Sequence, residues 1–263
     1  MFFLNFFNVS CETIQMNVIA ICNQKGGVGK TTTAVNLAFG LSIAQKKTLI
    51  IDLDPQTNAS SYLGYRNSDP SRCSYSVLEK PSKINELILK VNSFLDIIPS
   101  SLSYLEDPGP RDGDSPFTRL RNAFEFLKTP YEYIIIDCPP SLGSYTYNAV
   151  NASETVIIPV QSHYLSLEGL SQIVGLFNDI SNVKALEFKI LLTMFEAHQP
   201  LSVEVLKEVK QYFSDKIFNI AIPYDIKLAE APSHEKTIFD YAPLSAGAIA
   251  YTLFVKEILN GSK

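Results

Sequence analysis

The feature that most constrains this chain is a glycine-rich segment placed between an apolar run and a stretch of helical period. It covers residues 23–32 and has the sequence NQKGGVGKTT. Glycines let backbone N–H groups turn toward phosphate oxygens, and the following helix adds the positive end of its dipole. Lys30 supplies a charge for the outer phosphates, and Thr31 supplies a hydroxyl for Mg²⁺. A glycine turn that binds nothing would not explain this pair, so the sequence predicts a phosphate-binding loop.

The rest of the chain alternates short apolar, β-branched runs with longer segments of helical period. This pattern is typical of a parallel sheet covered by helices. The predicted strands are 18–22, 48–51, 94–98, 133–136, 155–159, 189–194 and 217–222. The predicted helices are 31–44, 117–127, 166–180, 203–213 and 245–259. We therefore expect an α/β fold with a mostly parallel, twisted sheet and helices on both faces.

The alternation has no break, so residues 16–263 are predicted to form a single domain. Residues 1–15 are interpreted as a leader, disordered or peripheral, because Met16 stands directly before the first predicted strand. Segments 64–72 and 107–115 are rich in Pro, Gly, Asp and Ser and are predicted to be surface loops. No apolar run reaches the length of a transmembrane helix.

The net charge and the cysteine positions argue against a globally basic nucleic-acid-binding protein and against a cysteine metal site. The net charge of −5 gives no global positive field toward nucleic acid, so any DNA contact needs a local basic patch. The four cysteines form neither a CxxC pair nor a cluster with metal-ligand spacing. They are predicted to be reduced thiols of a cytosolic protein.

Two further segments carry carboxylates at the ends of predicted strands. Segment 52–56 is DLDPQ, and segment 133–140 is YIIIDCPP, an apolar strand that ends in Asp137. An aspartate after a strand is often only a turn former. Two such aspartate segments, in this order after a phosphate-binding loop, favour a functional role for both.

These segments together resemble the deviant Walker A ATPases of the ParA/MinD class. Gln24 stands where the common P-loop has its first glycine, and Lys25 adds a lysine before the glycine pair. Segment 52–56 is similar to the family's second motif, and segment 133–140 is similar to its Walker B strand. Further similar segments are 159–161, 167–170, 191–194, 222–223 and 230–234. The resemblance runs from about Met16 to near the end and favours the ParA/Soj branch over MinD.

The resemblance implies a role for each site residue. Lys25 reaches across a dimer interface to the partner's nucleotide, and Asp54 positions the attacking water. Thr31 binds Mg²⁺, and Asp137 supports it through water. The expected phosphate-binding residues are Lys25, Gly26, Gly27, Val28, Gly29, Lys30, Thr31 and Thr32. Pro223 and Asp225 are the expected neighbours of the adenine.

The implied function is an ATPase with ATP and Mg²⁺ that powers chromosome or plasmid partitioning. ATP binding drives a homodimer, hydrolysis resets it, and a ParB-like protein stimulates the cycle in the cytoplasm, at the nucleoid. The alternative is a MinD-like ATPase on a membrane surface. Such proteins end in a basic amphipathic helix, whereas residues 254–263 carry two lysines. An iron–sulfur ATPase would need a cysteine pair that the sequence does not offer.

The sequence does not decide whether the protein binds DNA non-specifically. Small relatives use arginines in the last third of the chain, but this chain has no arginine after Arg121, and His198 and Tyr224 stand at the expected positions. Lysines are the candidate replacements, at Lys184, Lys189, Lys207, Lys210, Lys216, Lys227 and Lys236. Acidic residues nearly balance them, so a DNA face and a solvated mixed surface are both compatible with the sequence.

Overall fold

The computed structural model describes residues 16–66, 69, 71–104, 117–162, 175 and 186–261. The expected leader, the loop at 107–115, the segment 167–170 and all of the helix at 166–180 except residue 175 lie outside the described residues. The division into leader and domain therefore stays a prediction. No helix in the described part is both long and apolar enough to cross a membrane.

Seven strands within the described residues form one sheet. They are β1 (Asn17–Ile21), β2 (Thr48–Asp52), β3 (Leu89–Lys90), β4 (Leu95–Ile98), β5 (Tyr133–Asp137), β6 (Thr155–Gln161) and β7 (Glu187–Thr193). Their spatial order is β3-β4-β2-β5-β1-β6-β7. Only β3, paired with β4, is antiparallel within this sheet.

The three central strands bring the predicted motifs to one edge of the sheet. Strand β5 lies between β1 and β2, with Asp137 opposite Ile21 on one side and Asp52 on the other. The chain passes from β1 to β2 across β5, which opens a crevice at the carboxyl ends of these strands. Ligands of open α/β sheets bind at such a switch point.

The described helices surround this sheet. They are α1 (Lys30–Ile43), α2 (Asn58–Tyr62), α3 (Ser74–Glu79), α4 (Ile84–Leu87), α5 (Arg119–Phe124), α6 (Ser144–Ala152), α7 (Pro200–Phe213), α8 (Ile226–Glu230), α9 (Ile238–Tyr241) and α10 (Ala246–Gly261).

Alternating side chains of each central strand enter two separate cores. In β1, Val18 packs into one core, which contains residues of α6 and α7, and Ile19 packs into the other, with α1 and α10. Strands buried on both faces need apolar residues throughout, which explains the continuous apolar runs in the sequence. The expected α/β architecture, with helices on both faces of a mostly parallel sheet, is confirmed.

The predicted strand at 217–222 is wrong. This segment contacts β7 through an isolated bridge between Ile190 and Ile217. The Glu257 carboxylate of α10 accepts the backbone N–H groups of Asn219 and Ile220 at 2.8 and 3.2 Å. Because a glutamate takes these donors, a continuous strand ladder does not form.

Candidate nucleotide site

The loop between β1 and α1 is built as an open cradle of backbone groups. Asn23 fixes its start, because its Nδ2 donates to the Pro159 carbonyl at 2.6 Å and its Oδ1 accepts from the Lys25 N–H at 3.0 Å. Gly27 adopts a left-handed φ of 75°, which an L side chain rarely adopts. A Cβ added at Gly26 or Gly27 would meet no atom within 4 Å. The space beside these two backbones is open to a ligand.

The amino terminus of α1 offers a positive site without an acidic partner in its own first turn. Gly29 precedes the helix with no side-chain cap bond, and the first turn contains no acidic residue. The Lys30 Nζ donates to the Lys25 carbonyl at 3.0 Å, which bends its ammonium back over the loop. Burial lowers the pKa of Lys30, and the carboxylate of Asp137 opposes this shift. An anionic phosphate is the ligand that such a site favours.

Asp137, the last residue of β5, is fully buried, and neither of its carboxylate oxygens accepts a hydrogen bond from the described residues. Burial raises the pKa of Asp137 well above its ordinary value, and the charge of Asp52 adds to this shift. The Thr31 hydroxyl lies close enough to lower this pKa, but its geometry is not that of a hydrogen bond. An uncompensated buried carboxylate is costly, and a cation beside it removes that cost.

These residues fit a Mg²⁺ ion that is bound together with a nucleotide. Carboxylate, hydroxyl and phosphate oxygens are its usual ligands, and it keeps several waters. No group of three or more His, Cys, Asp or Glu in the described part of the chain is arranged to hold a metal. The protein groups near Asp137 would therefore need phosphate oxygens to complete the coordination shell.

Asp52 and Asp54 lie side by side at the end of β2. Asp52 accepts hydrogen bonds from the Asp54 N–H at 3.0 Å and from the Ser60 hydroxyl at 2.6 Å. Burial raises the pKa of Asp52 to about 7. Burial also raises the pKa of Asp54, while a hydrogen bond from the Gln56 N–H opposes the shift. Asp54 lines a cavity beside the loop, whereas Asp52 is fully buried and does not line it.

A cavity of about 700 Å³ extends from the loop toward α8 and α10. Its lining contains nine of the sequence-predicted site residues, namely Gly26, Gly27, Gly29, Lys30, Thr31, Thr32, Asp54, Pro223 and Asp225. Three predicted residues are not in this lining: Lys25, Val28 and Asp137. Val28 is buried, and its carbonyl accepts the Thr193 hydroxyl at 2.9 Å.

The predicted adenine neighbours lie at the other end of this cavity, and Asp225 also has a structural role. Its carboxylate accepts the N–H groups of Lys227 and Gly247 at 2.9 and 2.8 Å, so it ties α8 to α10. Burial alone would raise the pKa of Asp225, but these two hydrogen bonds hold it below its ordinary value. Tyr251 of α10 closes the cavity, with its hydroxyl 3.1 Å from that of Thr33.

Sequence reasoning missed several lining residues. Thr193 and Met194 were noted only as a similar segment, yet both line the cavity, and Met194 has a left-handed φ of 51°. Asn58 and Tyr62 of α2 also line it, and this short helix was not predicted. No sequence signal marked Tyr251, which is distant in the chain from every motif.

The structure also brings together two thiols that the sequence left apart. Cys22 follows β1 and Cys138 follows β5, and their sulfur atoms lie 2.8 Å from each other in the buried layer behind the loop. Burial raises the pKa of Cys138 well above its ordinary value, and the neighbouring Cys22 thiol adds to this shift. Neither thiol forms a disulfide within the described residues.

The doubly wound sheet, the cradle with an extra lysine before its glycines, and the strand-terminal carboxylates define a P-loop protein of the deviant Walker A class. A family model described as AAA domain matches residues 16–190. The sporulation initiation inhibitor protein Soj of Bacillus subtilis is 44% identical over 246 residues, which cover 92% of this chain and 97% of that protein. The chain belongs to the ParA/Soj family of chromosome-partitioning ATPases, as the resemblance predicted.

Of two further comparisons, the first agrees with this family and the second agrees with the fold. The chromosome partitioning protein ParA of Myxococcus xanthus is 39% identical over 248 residues, which cover 92% of this chain and 87% of that protein. The crystal structure of cobyrinic acid a,c-diamide synthase from Mycobacterium smegmatis with bound ATP analog and magnesium has a TM-score of 0.80. It is 26% identical and covers 94% of this chain and 96% of that one. The relatives favour the partition function over the MinD-like alternative.

Proposed function

We propose that this chain hydrolyses ATP to ADP and phosphate with Mg²⁺, and that the ATP-bound dimer powers chromosome or plasmid partitioning. The observation that carries this proposal is the meeting of an open phosphate cradle with the unpartnered carboxylate of Asp137. The cradle binds an anion, and the Asp137 carboxylate needs a cation. Mg·ATP supplies both, as phosphate groups and Mg²⁺. The similar structure with a bound ATP analog and magnesium supports the same pair of ligands.

ATP and Mg²⁺ would bind to the charged and polar groups of the loop, of Lys30 and of Asp137. The N–H groups of Gly26 to Thr31 and the Lys30 ammonium would hold the phosphates, and charge-assisted bonds of this kind are about twice as strong as neutral ones. Thr31 and Asp137 would hold Mg²⁺, which screens the charge of the outer phosphates when it is bound. The apolar end of the cavity, with Pro223 and Tyr251, would receive the base.

Asp54 would orient the attacking water. Its carboxylate lines the cavity beside the loop, and the Gln56 N–H fixes one of its oxygens at 2.9 Å. Phosphoryl transfer needs little covalent help, because positioning and electrostatic stabilisation supply most of the rate. A fixed carboxylate that accepts a hydrogen bond from water holds that water in line with the outer phosphate.

Lys25 would complete the site of a second copy. It is half-buried and does not line the cavity of its own chain. Its carbonyl accepts a hydrogen bond from Lys30, and its N–H donates to Asn23, so the backbone at Lys25 is fixed. A lysine held there can reach a nucleotide across an interface. ATP then favours the dimer, and hydrolysis removes that bias. We extend this cycle to a ParB-like stimulating protein and a cytoplasmic, nucleoid-associated location.

Phosphate release measured over a range of Mg·ATP concentrations tests the enzymatic part of this proposal, because it gives both turnover and apparent affinity. The wild type is expected to hydrolyse ATP, and Lys30→Ala is expected to bind it at least about tenfold more weakly, because a charge-assisted bond contributes roughly 1.5–3 kcal/mol. Lys46→Ala is the matched control, since Lys46 pairs with Glu132 at the far end of the sheet, at 2.7 Å. An inactive wild type, or equal losses in both variants, would contradict the proposal.

The structure narrows the lysines available for DNA. Lys189, Lys216 and Lys227 form ion pairs with Glu187, Asp215 and Glu230. Lys207 and Lys210 are exposed together on α7, Lys236 is exposed elsewhere, and Lys184 lies outside the described residues. We propose that Lys207 and Lys210 form a weak basic patch on each subunit, and that the two patches of the dimer contact DNA phosphates together.

An electrophoretic shift across a salt series measures these contacts. Lys207→Ala and Lys210→Ala are each expected to reduce the slope of log affinity against log salt by about one unit per lost phosphate contact. Lys227→Ala serves as the control and should change the slope less, because Glu230 neutralises Lys227 at 2.8 Å. If the ATP-bound dimer shifts no DNA at low salt, the DNA contact is wrong.

A further inference from the structure

We propose that Asp52 is a positioning residue for hydrolysis, which holds both the water-orienting carboxylate of Asp54 and the helix α2 with one enclosed side chain. This inference rests on the proposed function and deepens it. Asp52 is fully buried and is not in the cavity lining, so it acts through its neighbours and not on the nucleotide.

One carboxylate oxygen fixes the backbone of Asp54. Asp52 Oδ1 accepts the Asp54 N–H at 3.0 Å. Asp54 forms the same bond to the residue two positions later, because its Oδ1 accepts the Gln56 N–H at 2.9 Å. The Asp54 carbonyl also accepts the Thr57 N–H at 2.9 Å. The orientation of the Asp54 carboxylate therefore depends on a chain of bonds that begins at Asp52.

The other oxygen caps α2. Asp52 Oδ2 accepts both the N–H and the hydroxyl of Ser60, at 2.8 and 2.6 Å. Thr57 precedes α2 in a left-handed conformation and makes no side-chain cap bond. Ser60 is the third residue of α2, where an N-cap oxygen normally bonds. Asp52 supplies from a neighbouring strand the cap that the helix lacks.

The capped helix forms a wall of the nucleotide cavity. Asn58, Ser61 and Tyr62 of α2 line it, opposite the glycine-rich loop. The Ser60 hydroxyl also accepts the Ser100 N–H at 3.0 Å, which joins α2 to the end of β4. A shift of the Asp52 carboxylate would thus displace the water-orienting group and one cavity wall at the same time.

Steady-state hydrolysis by Asp52→Asn tests the proposal. The amide has nearly the same volume, but its NH₂ end cannot accept a hydrogen bond, so either the Asp54 bond or the Ser60 bonds are lost. We expect kcat to fall about 10- to 100-fold, as for a small misplacement of a reacting group, with KM for ATP changed less than about threefold.

Asp96→Asn is the matched control. Asp96 is a buried carboxylate of β4 at the opposite end of the sheet, where it accepts from Lys47 and Tyr131 at 2.6 and 2.8 Å. It should lose stability to a similar degree while keeping kcat. Ser60→Ala removes the hydroxyl bonds to Asp52 and Ser100 but keeps the bond from the Ser60 N–H to Asp52. It should therefore lower kcat less than Asp52→Asn, and it remains informative if Asp52→Asn does not fold.

Three results are decisive. A wild-type kcat in both Asp52→Asn and Ser60→Ala would overturn the inference. So would a kcat of Asp52→Asn that is restored by excess Mg²⁺, because Asp52 would then act on the metal and not on Asp54. An inactive wild type would instead overturn the proposed function, which keeps the two failures separate.

Discussion

At the scale of single residues, the site concentrates buried charge that only a ligand balances. Burial raises the pKa of Asp52, Asp54 and Asp137 and lowers the pKa of Lys30, so each group is shifted toward its neutral form. Asp52 alone has hydrogen bonds to both of its oxygens, whereas Asp137 has none from the described residues. Binding of Mg·ATP would compensate the charges of these groups.

Replacing Asp137 by Asn is expected to stabilise the empty protein and to weaken the response to ligand. The change replaces a buried carboxyl without a partner by a neutral amide of similar volume, and the extra cost of burying the unpaired charge, roughly 1 kcal/mol, is removed. For a chain of this size, each 1 kcal/mol corresponds to about 2–4 °C in Tm. Thermal unfolding without nucleotide should thus occur at least about 2 °C higher than in the wild type.

The same unfolding experiment with Mg·ATP should show a smaller stabilisation than in the wild type, because a metal-supporting oxygen is lost. Asp96→Asn is the control, since Asp96 has partners in Lys47 and Tyr131 and its loss should lower Tm without ligand. A lower Tm for Asp137→Asn, with an unchanged ligand response, would exclude the cation-binding role of this carboxylate.

Sequence alone predicted the residues whose neighbours in the chain form a motif. The loop residues and Asp54 were predicted in this way, and all of them except Lys25 and Val28 line one cavity. Thr193 and Tyr251 were missed because only the sheet and the last helix bring them to the loop. The capping role of Asp52 was missed because its partner Ser60 has no signature of its own.

At the scale of elements, α1 carries the phosphate loop and α10 supports it from behind. The two helices pack closely at Gly40, where an added Cβ would lie 2.6 Å from Val255 Cγ2 and 3.3 Å from Phe239. A methyl group there separates the helices or forces a side chain off its rotamer. The cost of such overpacking is typically about 1–3 kcal/mol.

Gly40→Ala is accordingly expected to lower the free energy of unfolding by about 1–3 kcal/mol in chemical denaturation. Gly261→Ala, at the end of α10, is the control, because no atom lies within 4 Å of its added Cβ. The double variant Gly40→Ala with Val255→Ala should recover part of the loss. A neutral Gly40→Ala, or no recovery in the double variant, would show that the two helices do not meet as described.

Sequence patterns located the buried elements and failed where tertiary contacts decide the structure. Six predicted strands lie within two residues of the observed ones, since strands buried on both faces are continuously apolar. The segment 217–222 is equally apolar, but Glu257 of a distant helix accepts the N–H groups of Asn219 and Ile220 in its middle. The two-residue β3 and the polar α6 carry no periodic pattern long enough to be recognised.

At the scale of the whole molecule, the proposed function requires a dimer that forms only with ATP. Lys25→Ala is expected to leave ATP affinity within about threefold of the wild type, because the phosphates keep Lys30 and the loop backbone, but to abolish dimerisation and turnover. A fluorescent ATP analogue measures the first effect, and light scattering measures the second. If Lys25→Ala lost affinity as strongly as Lys30→Ala, the lysine would serve its own nucleotide.

The most direct test of the central claim is the mass of Asp54→Ala in solution with and without Mg·ATP, measured by size-exclusion chromatography with light scattering. Loss of the water-orienting carboxylate should slow hydrolysis while keeping the loop, Lys30 and Lys25. We expect a monomer without nucleotide and a persistent dimer of twice the 29.3 kDa chain mass with ATP, but not with ADP. A variant that stays monomeric with ATP, or that is dimeric without it, would contradict an ATP-driven dimer.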